Sequence, residues 1–179
     1  LKDGSVKEYQ GPVTAAEAAK DLSMGLYRAA CAARVDGKVV DLRTVLDHDC
    51  ALEILTFADE DGQRAFNHTA SHILAQAVTH LYPEAKFAIG PAIDNGFYYD
   101  FDLPAPFTSE DLVKLEKEMA AIVKADLPLE KFELDAAEAL ELMKDQPYKE
   151  ELIREHAGKG EKISFYRQGD FTDLCAGPT

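Results

Sequence analysis

Two histidines, His68 and His72, stand four residues apart in a stretch whose apolar residues recur at helical spacing. Because four residues make about one helical turn, both imidazole rings project from the same face of a helix. Such a pair can hold a metal ion or orient a water molecule. The alternative is that one ring packs under the hairpin while the other is solvated, because this spacing also occurs without a site.

Asp173 and Cys175 add a carboxylate and a thiol two positions apart. In an extended segment such residues point to the same side, so the two groups share a face. Cys175 together with His68 and His72 would give three zinc ligands and an open fourth position, the arrangement typical of catalytic zinc. The alternative is a buried structural thiol that behaves as a small apolar side chain. Spacing alone favours neither.

Lys149 and an aromatic run complete the candidate set. Lys149 directly follows a tyrosine near the start of a predicted helix, where a lysine is more often a surface charge than a functional group. The run contains Asp94, Phe97, Tyr98 and Tyr99, and its rings are suited to stacking on a nucleic-acid base. The alternative for this run is a strand that packs one aromatic face inward.

The elements that must position these residues follow residue 62. Apolar residues at helical spacing predict a helix over 66–81, which Pro83 ends. The Asn95-Gly96 pair predicts a hairpin between strands at 85–93 and 96–101. The remaining predictions are helices at 109–125, 135–143 and 149–156, with extended segments at 129–134, 162–167 and 171–175. The fold class is α+β.

The first part of the chain carries shorter elements. Asp3-Gly4 is typical of a hairpin turn, and Thr14 with Glu17 forms a capping box for a helix over 15–21, which Gly25 would end. Strands are predicted at 34–35, 38–41 and 51–57. The acidic run 59–62 is predicted to be a hinge. This order predicts an N-terminal β-grasp, ubiquitin-like domain over 1–62 and an α+β domain over 63–179.

Composition limits the function classes. The 179 residues carry 19 Lys and Arg against 33 Asp and Glu, a formal net charge of −14, which argues against nonspecific nucleic-acid binding. Three cysteines, irregularly spaced, do not suggest a disulfide framework and favour a reducing, cytoplasmic location. We recognise neither a stretch of about 20 apolar residues nor a secretory signal, so membrane and secreted classes are disfavoured.

Four motifs occur in an order that resembles the bacterial-type threonyl-tRNA synthetases. They are His68-Thr-Ala-Ser-His72-Ile-Leu-Ala, the segment from Phe87 through Ile-Gly-Pro and Asp-Asn-Gly-Phe-Tyr-Tyr to Asp102, Pro147-Tyr-Lys149, and Phe171-Thr-Asp-Leu-Cys-Ala-Gly-Pro178. The resemblance covers essentially the whole chain. It implies an N-terminal TGS domain, which is a β-grasp module, followed by an editing domain shared in outline with alanyl-tRNA synthetases.

The resemblance implies that the second domain hydrolyses seryl-tRNA(Thr) made in error. The residues that match the family's editing pocket are His68, His72, Lys149, Asp173 and Cys175. A histidine would deprotonate the water, Lys149 would stabilise negative charge or hold the terminal ribose, Asp173 would orient a histidine or bind the serine amine, and Cys175 would line the water site.

The resemblance also implies what surrounds this site. Phe97, Tyr98 and Tyr99 would flank the terminal adenosine, with Asp94 beside them. No cofactor is required by this part of the family's chain. ATP and zinc belong to the family's aminoacylation domain, which together with the anticodon-binding domain accounts for ligation and for homodimer formation. The partner implied here is the acceptor end of tRNA(Thr).

Thr179 departs from the family pattern. The family usually has a histidine at this position, in Cys-x-Gly-Pro-His, so a four-residue zinc set is not complete here. This departure counts against a zinc centre more than it counts against hydrolysis, and it leaves two alternative functions open. One is a binding or regulatory module with an impaired pocket, and the other is a metal-dependent hydrolase.

We recognise no adenylate-forming arginine motifs in these residues. We therefore expect that the chain, incubated with ATP, threonine and tRNA(Thr), forms no threonyl-tRNA above background. Acid-precipitable labelled threonine measures this directly, with a complete threonyl-tRNA synthetase as the positive control. Charging by this chain alone would contradict the interpretation.

Overall fold

The computed structural model describes residues 1–175 and groups them into two compact units. Unit 1 contains residues 1–69 and 92–96, and unit 2 contains residues 70–91 and 97–175. The domain division at residue 62 stays a prediction, as does any statement about Thr179, which lies outside the described residues. None of the helices in residues 1–175 combines the length and apolarity that crossing a membrane would need.

Unit 1 is a small mixed α+β unit, in agreement with the predicted class. Its central sheet has the antiparallel order β3-β2-β5, and β1 pairs with β4. Its elements are β1 (Val13–Thr14), α1 (Ala15–Leu22), α2 (Met24–Ala29), β2 (Ala30–Val35), β3 (Lys38–Val40), β4 (Val45–Leu46) and β5 (Leu52–Thr56).

The start of α1 confirms the predicted capping box. The Thr14 hydroxyl accepts from the Glu17 amide and the Glu17 carboxylate accepts from the Thr14 amide, so two orphan amides of the first turn are satisfied. The apolar face of α1, Ala15 and Ala18, packs with Ala33 of β2 in a buried cluster. Burying this face fixes α1 on the sheet.

The predicted helix end at Gly25 is wrong. Helix α1 ends at Leu22, and Ser23 then adopts an extended backbone and accepts from the Leu26 amide through its hydroxyl. Ser23 therefore caps a second helix, α2, and Gly25 lies in its first turn. The predicted start of the next strand is also wrong. Strand β2 starts at Ala30 and is longer than the predicted strand at 34–35.

The acidic run 59–62 is not a hinge. The Asp59 carboxylate accepts from the Thr56 amide at 2.8 Å, and the Asp59 carbonyl accepts from the Gln63 amide at 2.8 Å. Glu60 and Asp61 occupy the first turn of α3 (Glu60–Leu81), where negative charge favourably meets the positive end of the helix dipole. The predicted helix at 66–81 therefore begins six residues earlier.

Unit 2 contains the three-stranded antiparallel sheet β10-β11-β12 and most of the longer helices. The predicted helix over 109–125 is confirmed to the residue, capped by Thr108. The other predicted helices and strands from 129 onward agree to within two residues. The elements are α4 (Ser109–Ala125), β10 (Leu129–Leu134), α5 (Ala136–Leu142), α6 (Pro147–Ala157), β11 (Ile163–Gln168) and β12 (Phe171–Leu174).

The two long strands predicted around Asn95-Gly96 are wrong in length. The structure has four strands of two residues each: β6 (Lys86–Phe87), β7 (Ala92–Ile93), β8 (Gly96–Phe97) and β9 (Phe101–Asp102). The pairing of β6 with β9 and of β7 with β8 keeps the hairpin. Gly90 and Pro91 interrupt the ladder, since proline has no amide hydrogen to donate and glycine weakens a strand interior.

Two buried clusters hold unit 2 together. Aromatic Phe87 and Phe171 join residues of α3 and α4 in the first, and Phe165 of β11 joins α5 and α6 in the second. Burial alternates along β12, where Phe171 and Asp173 are buried and Thr172 between them is partly exposed. This alternation directs Asp173 into the unit.

Gly62 in α3 gives a stability test. Alanine normally stabilises a helix by about 1 kcal/mol relative to glycine. A Cβ at Gly62 would lie 2.0 Å from the carbonyl oxygen of Thr56, so we expect Gly62→Ala to lower the free energy of unfolding by about 1 to 3 kcal/mol. Urea denaturation followed by circular dichroism measures it.

The matched control is Gly25→Ala in α2. A Cβ there would meet only the Ser23 hydroxyl, at 3.9 Å, so the substitution is expected to be neutral or stabilising. Equal effects at the two positions would contradict the close approach at Gly62.

Candidate active site

The candidate site in unit 2 is built around the buried carboxylate of Asp173, which is 2% exposed. Lys149 Nζ lies 3.0 Å from Oδ1 of Asp173, and the Tyr99 hydroxyl donates to Oδ2 at 2.6 Å. The Nδ1 atom of His72 lies 3.1 Å from the same Oδ2. Three side chains distant in sequence therefore converge on one carboxylate.

A second layer of contacts links these partners to one another. Lys149 Nζ also donates to the Tyr99 hydroxyl at 2.9 Å, so the phenol accepts from the ammonium and donates to the carboxylate. His72 is also hydrogen-bonded to Cys175, and the two can present ligand atoms within 4.8 Å of each other. His72 and Cys175 are both buried. The imidazole thus lies between a carboxylate and a thiol.

Three elements bring these groups together. His72 is on α3, and Asp173 and Cys175 share one face of the β12 strand and its continuation. Lys149 occupies the first turn of α6, where Pro147 is well tolerated because no amide hydrogen is needed. The Gln146 side chain accepts from the Phe87 amide at 2.8 Å and so ties this helix start to β6.

Tyr99 depends on a glycine that sequence reasoning missed. A Cβ at Gly90 would lie 2.1 Å from Cδ2 of Tyr99, so any side chain at this position would displace the ring. The ring also stacks on Phe101 with centroids 4.8 Å apart. The sequence signal that could have identified this contact is the Gly-Pro pair inside an otherwise strand-like segment.

The network shifts three pKa values. Burial would raise the pKa of Asp173, but the Lys149 charge and the hydrogen bond from His72 hold it well below its usual range. Burial would lower the pKa of His72, but hydrogen bonds to Asp173 and Cys175 raise it to about 9. Burial and the neighbouring Asp173 charge raise the pKa of the Tyr99 phenol. The raised pKa of His72 and the lowered pKa of Asp173 together favour an imidazolium beside a carboxylate.

The structure brings together four of the five predicted catalytic residues: His72, Lys149, Asp173 and Cys175. Lys149 is buried rather than a surface charge. His68 lies one turn before His72 on α3 and is partly exposed, whereas His72 is buried. The alternative of one packed and one solvated ring therefore holds in part.

The predicted substrate-binding run is divided. Among its three aromatic residues, Tyr99 hydrogen-bonds to Asp173 while Tyr98 is 43% exposed and Phe97 is partly buried. The Asp94 side chain is almost fully exposed, with Arg64 at 3.9 Å. A role for Tyr98, Phe97 and Asp94 in substrate binding stays a prediction. The inward-packing alternative holds for Tyr99.

The residues available to a metal ion are His68, His72 and Cys175. Their types suit zinc, and the hydrogen bond that His72 donates to Asp173 is the kind of contact that orients a ligating histidine. A metal would require His72 and Cys175 to lose their protons, and the raised pKa of His72 opposes this. Proton and metal therefore compete for the same ring.

Comparison with known proteins places this site in a family context. Residues 1–56 match the family described as the TGS domain, which confirms the predicted N-terminal β-grasp module. The chain is thus a TGS-containing α+β protein.

The relatives extend this beyond the TGS domain. The chain is 58% identical to threonine–tRNA ligase of Acetivibrio thermocellus, 56% to that of Clostridium perfringens and 54% to that of Clostridioides difficile. Each match covers 99% of this chain and 28% of the relative's length. The resemblance to threonyl-tRNA synthetases read from the sequence motifs is confirmed.

The pKa of His72 gives a pH test. A pKa raised from the usual 6.5 to about 9 stabilises the fold fully below about pH 6.5, and this contribution is lost as the pH rises through about 9. We expect the free energy of unfolding to fall across that window by on the order of 3 kcal/mol. Urea denaturation between pH 6 and pH 10 measures this decline.

The comparison variant is His72→Gln. It removes the titrating group, so its stability should be lower at pH 6 and flatter across the same range. The same pH slope in both proteins would show that His72 is not the group responsible.

Proposed function

We propose that the predicted domain over 63–179 hydrolyses seryl-tRNA(Thr) as the editing activity of a threonine–tRNA ligase. The observation that carries this proposal is the Asp173-centred cluster, in which Lys149, His72 and Tyr99 converge on one buried carboxylate. Relatives at 54–58% identity are named threonine–tRNA ligases. Ligation of threonine to tRNA with ATP would be the activity of the whole protein, of which this chain would be one part.

Serine explains why a second site is needed. Serine lacks one methyl group of threonine, and a missing methyl is worth only about 1 to 3 kcal/mol in a binding pocket. A synthetic site therefore cannot reject serine well enough, and hydrolysis of the wrong ester corrects the error. The hydrolytic site must in turn exclude threonine by crowding its extra methyl group.

Hydrolysis of an aminoacyl ester needs an activated water, a donor for the developing oxyanion and a proton for the departing ribose oxygen. Lys149 and His72 contribute positive charge in a water-poor site, which favours the oxyanion. The cluster has a formal charge of about +1 when His72 is protonated, in a chain whose formal net charge is −14. This local charge would also attract the phosphates of the acceptor end.

The roles of the two histidines differ in this proposal. A protonated His72 cannot accept a proton from water, so it serves as a donor to the oxyanion or to the leaving ribose oxygen. His68 is the partly exposed ring of the pair and is the candidate base that deprotonates the attacking water. Asp173 orients His72, and Cys175 lines the site on its other side.

Three ligands would hold zinc if the reaction used one: His68, His72 and Cys175. Zinc would supply a Lewis acid and a more acidic water. The proton on His72 favours the metal-independent form of the reaction, so we expect hydrolysis to continue in the presence of a strong chelator.

The test is release of labelled serine from seryl-tRNA(Thr) by this chain, with threonyl-tRNA(Thr) as the competing substrate. We expect serine to be released faster than threonine, and His68→Asn to slow serine release about 100-fold because a general base typically contributes 10²- to 10⁴-fold. His156→Asn, on the exposed end of α6, is the matched histidine control and should keep the wild-type rate.

Two outcomes would overturn the proposal in different ways. No release above the buffer rate, combined with retained tRNA binding, would support a non-catalytic binding module. Release that EDTA abolishes and added zinc restores would instead support the metal-dependent hydrolase.

A further inference from the structure

The turn between β11 and β12 leads into the site, and residues that are not part of the site hold this turn in place. β11 and β12 are joined by the two residues Gly169 and Asp170, and the pairing of Gln168 with Phe171 closes the hairpin. Gly169 has a φ of 58°, which a glycine adopts without cost. A Cβ at this position would lie 2.8 Å from Leu127. The turn is therefore closely packed on one side.

His80 holds the other side of this turn. Its Nε2 atom lies 3.0 Å from Oδ1 of Asp170, and its Nδ1 atom lies 2.8 Å from Oε1 of Glu118. Both ring nitrogens therefore face carboxylates, one from the turn and one from α4. Gln76, one turn earlier on α3, also donates to Asp170, at 3.4 Å.

An imidazole that donates from both nitrogens must carry a proton on each. Asp170 and Glu118 raise the pKa of His80, which favours this doubly protonated form. The His80 side chain is 28% exposed, and a partly exposed ion pair of this kind holds geometry more than it adds stability.

Helix α3 thus meets the β11–β12 hairpin at two levels. At the inner level His72 contacts Asp173, and at the outer level His80 contacts Asp170. The two histidines are eight residues apart, about two helical turns, and the two aspartates are three residues apart. Because the outer pair fixes the turn, it limits how far β12 can slide or tilt relative to α3.

We propose that His80 is a positioning residue that, through Asp170, sets the placement of Asp173 and Cys175 against His72. His80 itself does not contact the proposed substrate. The proposal rests on the proposed editing function for its kinetic consequence, but the placement of His72 can be measured without it.

The first variant is His80→Gln, which keeps a polar side chain but removes the charge and replaces one of the two donor nitrogens by an acceptor oxygen. We expect kcat for serine release to fall about tenfold with little change in KM, since displacements of about 1 Å at a reacting centre cost up to about 100-fold. Asp170→Asn should give a similar loss. The double variant should be no worse than either single one, because both remove the same contact.

Two further variants separate positioning from general destabilisation. His80→Arg retains a positive charge and several donors and should recover most of the rate. His48→Gln is the matched control, because His48 in unit 1 also contacts two carboxylates, those of Asp47 and Asp36, and should keep the wild-type rate.

The second readout is the imidazole NMR signal of His72, which is independent of turnover. We expect its chemical shifts to change in His80→Gln and to stay those of the parent chain in His48→Gln, because only the first substitution releases Asp170. A lower melting temperature with unchanged His72 chemical shifts and unchanged kcat would overturn the proposal. If the parent chain releases no serine, the editing function fails, while the His72 signal still decides the role of His80.

Discussion

The buried charge of Asp173 is the constraint on which the arrangement of unit 2 depends. A carboxylate removed from water is very costly unless charged and hydrogen-bonded partners compensate it, and losing one partner of a buried pair typically costs about 3 to 5 kcal/mol. Lys149, His72 and Tyr99 supply that compensation from three different elements. Helices α3 and α6 and the segment after β8 must therefore meet at one strand, and the chemistry of the site is a consequence of satisfying this charge.

The sequence predicts which residues belong to the site more readily than it predicts what each of them does. The motifs that resemble threonyl-tRNA synthetases contain His72, Lys149, Asp173 and Cys175, and the structure brings these four side chains together. The hydrogen bond of Tyr99 to Asp173 was missed because an aromatic run fits base stacking and inward packing equally well. Protonation of His72 could not be read either, since it depends on the net balance between burial and two contacts made 101 and 103 residues away.

Local sequence signals predicted helix starts correctly where a neighbouring side chain accepts hydrogen bonds from the backbone amides of the first turn. The Thr14 and Thr108 capping boxes placed two helix starts correctly. Gly25 misled because Ser23, two residues earlier, ends one helix and caps the next. The acidic run after Thr56 was misinterpreted as a hinge because its charge suggested solvent exposure, whereas the Asp59 carboxylate accepts from the Thr56 amide and Gly62 approaches the backbone of Thr56 too closely for any side chain. The close approach of Gly62 to Thr56 has no signature in a single sequence.

The contact between Gly90 and the Tyr99 ring carries an evolutionary consequence. A larger residue at position 90 requires a smaller one at position 99, but a smaller residue there loses the hydroxyl that bridges Lys149 and Asp173. A substitution at either position alone disturbs the ring or removes the bridging hydroxyl. Each residue therefore restricts which substitutions the other can accept. In descendants that keep the Asp173 cluster, the two residues should be inherited together, and lineages that lose one should be free to lose both.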